Sequence, residues 1–320
     1  MLLEQFSRFF LRHEFHVRSY RNQGPPLKLR ADEDELDAEG LLRSAVEAGT
    51  AQLSLRNGDE VRLVRIEPYP EKKPAALVFL FRRANANAGA PWFEHQQTQA
   101  LRRSDKADDE SVTVSAHLIV GLRSLGDGLP THPAILEEVP GLGRTYVQAI
   151  LSDVIKQHKY EYQYKPKQTK ETFSHVVLQG LKSQSIDAAM RHKRTVSHVV
   201  LVRPANLDGL DTEGLAIPGD ERMKIQLHST PEKTITLLNR INAWRKKRDW
   251  KDVRVQLDLP HDRSKLVSIA READAADVLF VRSEHEIFKN ELADATDEIN
   301  QELVERAIAK FAPARWAAEK

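Results

Sequence analysis

The sequence predicts an α+β protein of two mixed domains, with largely antiparallel sheets and a C-terminal amphipathic helix. Three observations carry that expectation. Most apolar runs are short and alternate with polar residues, the period of half-buried strands. Turn signals such as Asn57-Gly58-Asp59 join neighbouring runs as hairpins. The chain of 320 residues exceeds the size at which one hydrophobic core usually stops growing.

The elements follow in order. Phe15 to Tyr20 (FHVRSY) alternates and reads as a strand. Leu36 to Glu47 sets Leu36, Leu41, Leu42 and Val46 at helical spacing, behind an acidic run that suits a helix N-terminus. Gln52 to Leu55, Val61 to Ile66 and Leu77 to Phe81 are three strands. The third is uniformly apolar and therefore central. From Arg83 the period dissolves, and 83–110 reads as a long, mobile insertion. Val112 to Leu122 restores a strand. Lys156 to Gln184 has no clear period, so the domain boundary falls there.

That divides the chain into an N-terminal α+β domain (1–155), a basic aromatic linker segment (156–190) and a C-terminal α+β domain (191–320). In the last, Val196 to Val202, Met223 to Leu227, Val253 to Leu259 and Val278 to Val281 read as strands. Pro231 opens a helix to about Arg248, with Ile235, Leu238, Ile241 and Trp244 as its buried stripe. Further helices are expected at Ser264 to Ala273 and Ile287 to Phe311.

Hydrophobic residues at 41% and charged residues at 30% supply a real core and exclude global disorder. No apolar run approaches the roughly 18 residues needed to span a bilayer, so membrane insertion is not expected. Cysteine is absent, which removes disulfides, thiol nucleophiles and thiolate metal sites. The N-terminal stretch lacks the apolar centre and cleavage site of a signal peptide, so a cytoplasmic location is expected.

The net charge of +1 conceals opposing blocks. Residues 32–39 hold six acids and no base, whereas 141–203 hold eleven bases and four acids, a net of +7. Arg240 to Lys251 adds six bases against Asp249. Such asymmetry speaks about partners rather than fold. A polyanion is the expected partner, with DNA favoured over RNA, and the acidic flanks are candidate docking surfaces for proteins. A homo-oligomer is also expected.

Val139 to Leu151 (VPGLGRTYVQAIL) resembles a helix-hairpin-helix element. Gly141 and Gly143 permit a tight turn, and the first amides of the following helix suit a phosphate. Arg144 and Thr145 stand where they would reinforce that contact. The plainer alternative is a strand, a Pro-Gly turn and an ordinary helix start. Next, Lys156, Lys159, Lys165, Lys167 and Lys170 interleave with Tyr160, Tyr162 and Tyr164, whose spacing puts three rings on one face of an extended segment. This is either a stacking platform or a strand with tyrosines inward and lysines in water. Arg191, Lys193 and Arg194 form one further basic patch. Arg245, Lys246, Lys247, Arg248 and Lys251 form another, and phosphate contact is expected of both.

No catalytic motif accompanies them. A nucleophile elbow, a Walker loop, a zinc-protease helix and a dinucleotide fingerprint are all missing. His13, His16, His192 and His198 lack ligand-like spacing, and Asp252 to Asp258 (DVRVQLD) lacks the Glu-x-Lys continuation of a nuclease core. No cofactor or metal is expected. The first expectation is a sequence-nonspecific nucleic-acid binder. An assembly subunit of a larger complex and a divergent metal-dependent nuclease are the alternatives.

The order of features resembles a family. A short strand, an acidic-start helix, three strands, a variable loop, further strands, a basic middle and a second αβ half follow one another to about residue 280. This pattern is similar to the DNA-binding subunit of the Rex phage-exclusion system and, more loosely, to phage-defence proteins of similar size. The resemblance implies a dimeric, sequence-nonspecific DNA binder acting against superinfecting phage. It assigns no individual residue.

Overall fold

The computed structural model describes residues 3–31, 35–69, 75–125, 131–191, 195–205, 219–228, 230–248, 250–259, 263–269, 275, 279–281 and 283–311. The fold is α+β, and among the described residues every strand pairing is antiparallel. The chain forms two compact units, one of Met1–Leu181 with Arg282–Ala317 and the other of Lys182–Val281 with Ala318–Lys320. The division falls at Leu181, within the expected segment 156–190, and residues 282–317, expected in the second domain, belong to the first unit.

In the first unit, β1 (Ser7–Ser19) is followed by α1 (Ala38–Glu47), β2 (Gln52–Ser54), β3 (Glu60–Tyr69) and β4 (Ala76–Asn85). Then come β5 (Trp92–Glu94), β6 (Leu101–Arg103), β7 (Val112–Gly121), β8 (Thr131–Glu137), α2 (Arg144–Lys156), β9 (Lys159–Lys165) and β10 (Gln168–Gly180). The main sheet runs β2-β3-β4-β7-β8-β1-β10-β9. Asp37 starts α1 by accepting the Gly40 amide at 2.7 Å.

Both faces of this sheet are covered, which explains the unbroken apolar run of β4. Leu77, Phe79 and Phe81 face the core that includes Leu42 of α1 and Val147, Ile150 and Leu151 of α2. Val78 and Leu80 face the opposite core, with Phe288, Leu303, Val304 and Ala307. A strand buried on both sides has no use for polar alternation. The insertion 83–110 is partly ordered as strand: β4 extends to Asn85, and β5 and β6 form a separate hairpin.

The second unit comprises β11 (Lys182–Ser185), α3 (Ile186–Arg191), β12 (Thr195–Pro204), β13 (Asp220–Gln226), α4 (Pro231–Lys246), β14 (Asp252–Leu259), β15 (Arg263–Ile269) and β16 (Leu279–Val281). Its four-stranded sheet runs β13-β12-β14-β15, and β11 pairs with β16. Its core joins Val199, Leu201, Val253, Val255 and Leu257 to Leu238 and Ile241 of α4. The helix expected from Ser264 is strand β15 instead. Arg263, Val267 and Ile269 are buried at alternate positions, a period of two that pairs with β14.

Two elements complete the first unit: β17 (Ser283–Ile287) and α5 (Gln301–Ile308). The long helix expected over 287–311 is shortened at its start. Residues 283–287 pair with β1, and Asn300 fixes the helix N-terminus by accepting the Leu303 amide at 2.9 Å. The remaining helix is amphipathic and buries Leu303, Val304, Ala307 and Ile308.

Candidate nucleic-acid interface

The turn at Gly141 lies between a strand and a helix. The element before it is β8, so the segment resembling a helix-hairpin-helix has the plainer strand–turn–helix form. Gly141 has φ of +79°, and its carbonyl accepts from Arg83, whose Nε also holds Asp59 at 2.9 Å. The Arg83 guanidinium lies 5.6 Å over the Tyr146 ring. Gly143 caps α2 without a side chain, and Thr145 is exposed. Arg144 Nη1 donates to the Leu178 carbonyl of β10 at 3.3 Å. Its charge is thus turned toward the sheet instead of reinforcing the helix start.

The segment expected to be a linker is hairpin β9–β10. Its first strand has the extended form that the tyrosine alternation allows, and as the sheet edge it keeps most of its side chains exposed. The three tyrosines divide. Tyr160 donates to the Pro25 carbonyl at 2.7 Å, lies 2.7 Å from Ser174 Oγ and packs on the core. Burial holds its hydroxyl above the ordinary tyrosine range. The Tyr162 ring closes on Gly24 (φ +81°), where a Cβ would stand 2.7 Å from it. Tyr164 alone projects, 47% exposed. The single stacking face of three rings is therefore reduced to one ring near the hairpin tip.

Around that ring the charge is one-signed. Lys170 Nζ lies 3.6 Å and Lys165 Nζ 5.4 Å from the Tyr164 centroid. Lys167 occupies the turn with φ of +67°. No described acidic side chain is paired with Lys165, Lys167 or Lys170, and residues 162–170 contain no acid. Lys159 and Lys156 differ: they pair with Glu171 at 2.7 Å and Asp153 at 3.8 Å. Lysines and Pro166 on this edge also discourage pairing with another chain.

The basic patch of the second unit is not one surface. Arg245 is 1% exposed; it donates to the Lys251 carbonyl at 3.0 Å and the Ile269 carbonyl at 3.2 Å. It braces the fold and does not reach a ligand on the surface. Helical rotation puts it in line with Leu238, Ile241 and Asn242, while Trp244, assigned by sequence to the buried stripe, is 37% exposed. Lys246, Lys247 and Arg248 are exposed, with Arg248 5.0 Å over the Trp244 ring. Lys251 is exposed as well. Arg191 ends α3, and Lys193 and Arg194 lie outside the described residues.

Sequence reasoning missed a buried ionic group on the α5 face of the first unit. Arg8 Nε donates to Glu137 Oε1 at 2.9 Å. Glu137 Oε2 lies 2.8 Å from His117 Nδ1 and accepts the His117 amide at 3.1 Å. His117 Nε2 faces the Asn300 amide at 3.4 Å, and Arg8 also donates to the Leu292 and Ala293 carbonyls at 3.3 and 3.1 Å. These groups line a cavity of about 230 Å³. Every strong donor and acceptor in the group is engaged within the protein, so its chemistry is that of a fastening between β1, β7, β8 and the chain before α5. A polar, ionisable residue at an inward position of each strand (Arg8, His117 and Glu137) is the signal that marks it in the sequence.

Among the described residues, no group of three histidine, aspartate or glutamate side chains is placed to hold a metal, and no helix is long and apolar enough to cross a membrane. Comparison with protein-family models, curated proteins and solved structures finds no match.

Proposed function

We propose that the protein binds nucleic acid, DNA in the first instance, through phosphate contacts that do not depend on sequence. The observation carrying this reading is the β9–β10 hairpin tip, where Lys165 and Lys170 flank an exposed Tyr164, Lys167 occupies the turn and residues 162–170 contain no acid. Three unpaired cations gain by releasing condensed counterions from a phosphate backbone, and the ring adds a face on which a sugar or base can rest. In the second unit, exposed Lys247 and Arg248, the latter over the Trp244 ring, add positive charge beside an aromatic face. The order-of-elements resemblance adds a setting to the proposal: a dimeric DNA binder in the exclusion of superinfecting phage.

Fluorescence anisotropy with labelled duplex and single-stranded oligonucleotides tests the reading. Affinity should fall steeply between roughly 50 and 200 mM salt, and scrambling the base sequence should leave it unchanged. An affinity indifferent to salt contradicts the proposal.

A further inference from the structure

The β5–β6 hairpin stands apart from the main sheet and, among the described residues, pairs with no other strand. Every residue from Pro91 to Arg103 is exposed, including Trp92 at 61%, Phe93 at 52% and Leu101 at 65%. Its register sets Trp92 opposite Arg103 and Phe93 opposite Arg102, whose guanidinium lies 5.3 Å over the Phe93 ring. Successive strand residues point to opposite faces, so each face carries one aromatic ring with an arginine directly across from it.

We infer that this hairpin is a base-stacking site for single-stranded nucleic acid. The inference rests on the proposed nucleic-acid binding and deepens it by naming the strand state recognised. Each ring offers a flat apolar face and its cross-strand arginine a phosphate donor, the two parts of a sequence-tolerant stacking platform. A duplex hides its base faces within the stack, so such rings have a partner only where bases are unstacked. The two aromatic rings lie on opposite faces, Trp92 beside Leu101 and Glu94 and Phe93 opposite Arg102, so neither face gathers the cluster of aromatic anchors on which a protein-docking surface centres. The arginines supply charge complementarity to the strand.

The test compares a labelled oligo(dT) strand with a labelled duplex of equal length. Proteins are the wild type, Trp92→Ala with Phe93→Ala, and Lys165→Ala with Lys167→Ala and Lys170→Ala. The aromatic variant should lose about tenfold or more in single-strand affinity while its duplex affinity stays within twofold. Because both side chains are exposed, its thermal midpoint should match the wild type. Arg102→Gln with Arg103→Gln should weaken the single strand and lower its salt dependence.

An aromatic variant that binds the single strand as well as the wild type overturns the inference. If the lysine variant still weakens both ligands, the broader reading survives that failure. A wild type that binds neither ligand overturns both. A change in solution mass on replacing Trp92 and Phe93, with single-strand affinity intact, marks the hairpin as a self-association surface and also overturns the inference.

Discussion

Replacing Glu137 by alanine probes the buried fastening of the first unit. The change removes the acceptor of Arg8 Nε at 2.9 Å, of the His117 amide at 3.1 Å and of His117 Nδ1 at 2.8 Å. The Arg8 and Glu137 side chains are only 2% and 4% exposed, so removing the carboxylate leaves a buried guanidinium without its counter-charge. Removing one member of a buried pair typically costs about 3–5 kcal/mol, a large part of the roughly 5–15 kcal/mol that holds a domain folded. With a urea dependence of about 2–3 kcal/mol per molar, the midpoint for the first unit should drop by about 1–2.5 M. A double-mutant cycle with Arg8→Met should return a coupling of about 1–3 kcal/mol. Far-ultraviolet circular dichroism across urea measures both. An unchanged midpoint refutes the structural role. So does loss of nucleic-acid binding without loss of stability, which would mark the cavity as functional.

Arg245→Ala should destabilise the second unit by about 2–4 kcal/mol, because the Lys251 and Ile269 carbonyls lose a buried charged donor. Lys246→Ala and Lys247→Ala, on the exposed face, should each stay within about 0.5 kcal/mol in the same denaturation series. Gly141→Ala should cost about 1–2 kcal/mol by thermal unfolding, since φ is +79° and the new Cβ would stand 2.6 Å from Arg83 Nη1. Stability should also decline in acid. Burial holds the imidazoles of His132 and His16 below the ordinary histidine range, with Arg18 adding to the effect at His16. The unfolded chain therefore takes up these protons more readily, so this stability is complete above about pH 6.5 and is lost as pH falls through the folded values. Thermal midpoints at about pH 7.5 and 5.5 measure it, and His132→Gln should flatten the difference.

Local signals were legible where one physical cause dominates. The run of β4 marked a central strand because both faces are covered, and the spacing of Leu41 and Leu42 marked α1. The failures are equally specific. Arg245 was grouped with its chain neighbours as a basic patch, although the helical period from Leu238 through Ile241 and Asn242 leads to it and away from Trp244. The alternation of Tyr160, Tyr162 and Tyr164 marked β9 as extended, but its pairing with β10 as a sheet edge had no local signal. The return of 283–311 to the first unit depends on β17 pairing with β1 across nearly the whole chain, a tertiary event without a local signature. Of the residues expected to meet phosphate, the hairpin lysines and Tyr164 remain as a coherent exposed group. Tyr160, Tyr162, Arg144 and Arg245 have their side chains engaged in the fold.

The salt dependence of DNA affinity for the wild type and for Lys165→Ala with Lys167→Ala and Lys170→Ala tests the central claim most directly. Removing one lysine–phosphate interaction should lower the slope of log affinity against log salt by about 0.9, so the triple variant should show a slope shallower by about 2–3, with weaker binding at low salt. Identical slopes and affinities for the two proteins would contradict the assignment of the β9–β10 hairpin as the phosphate-binding surface.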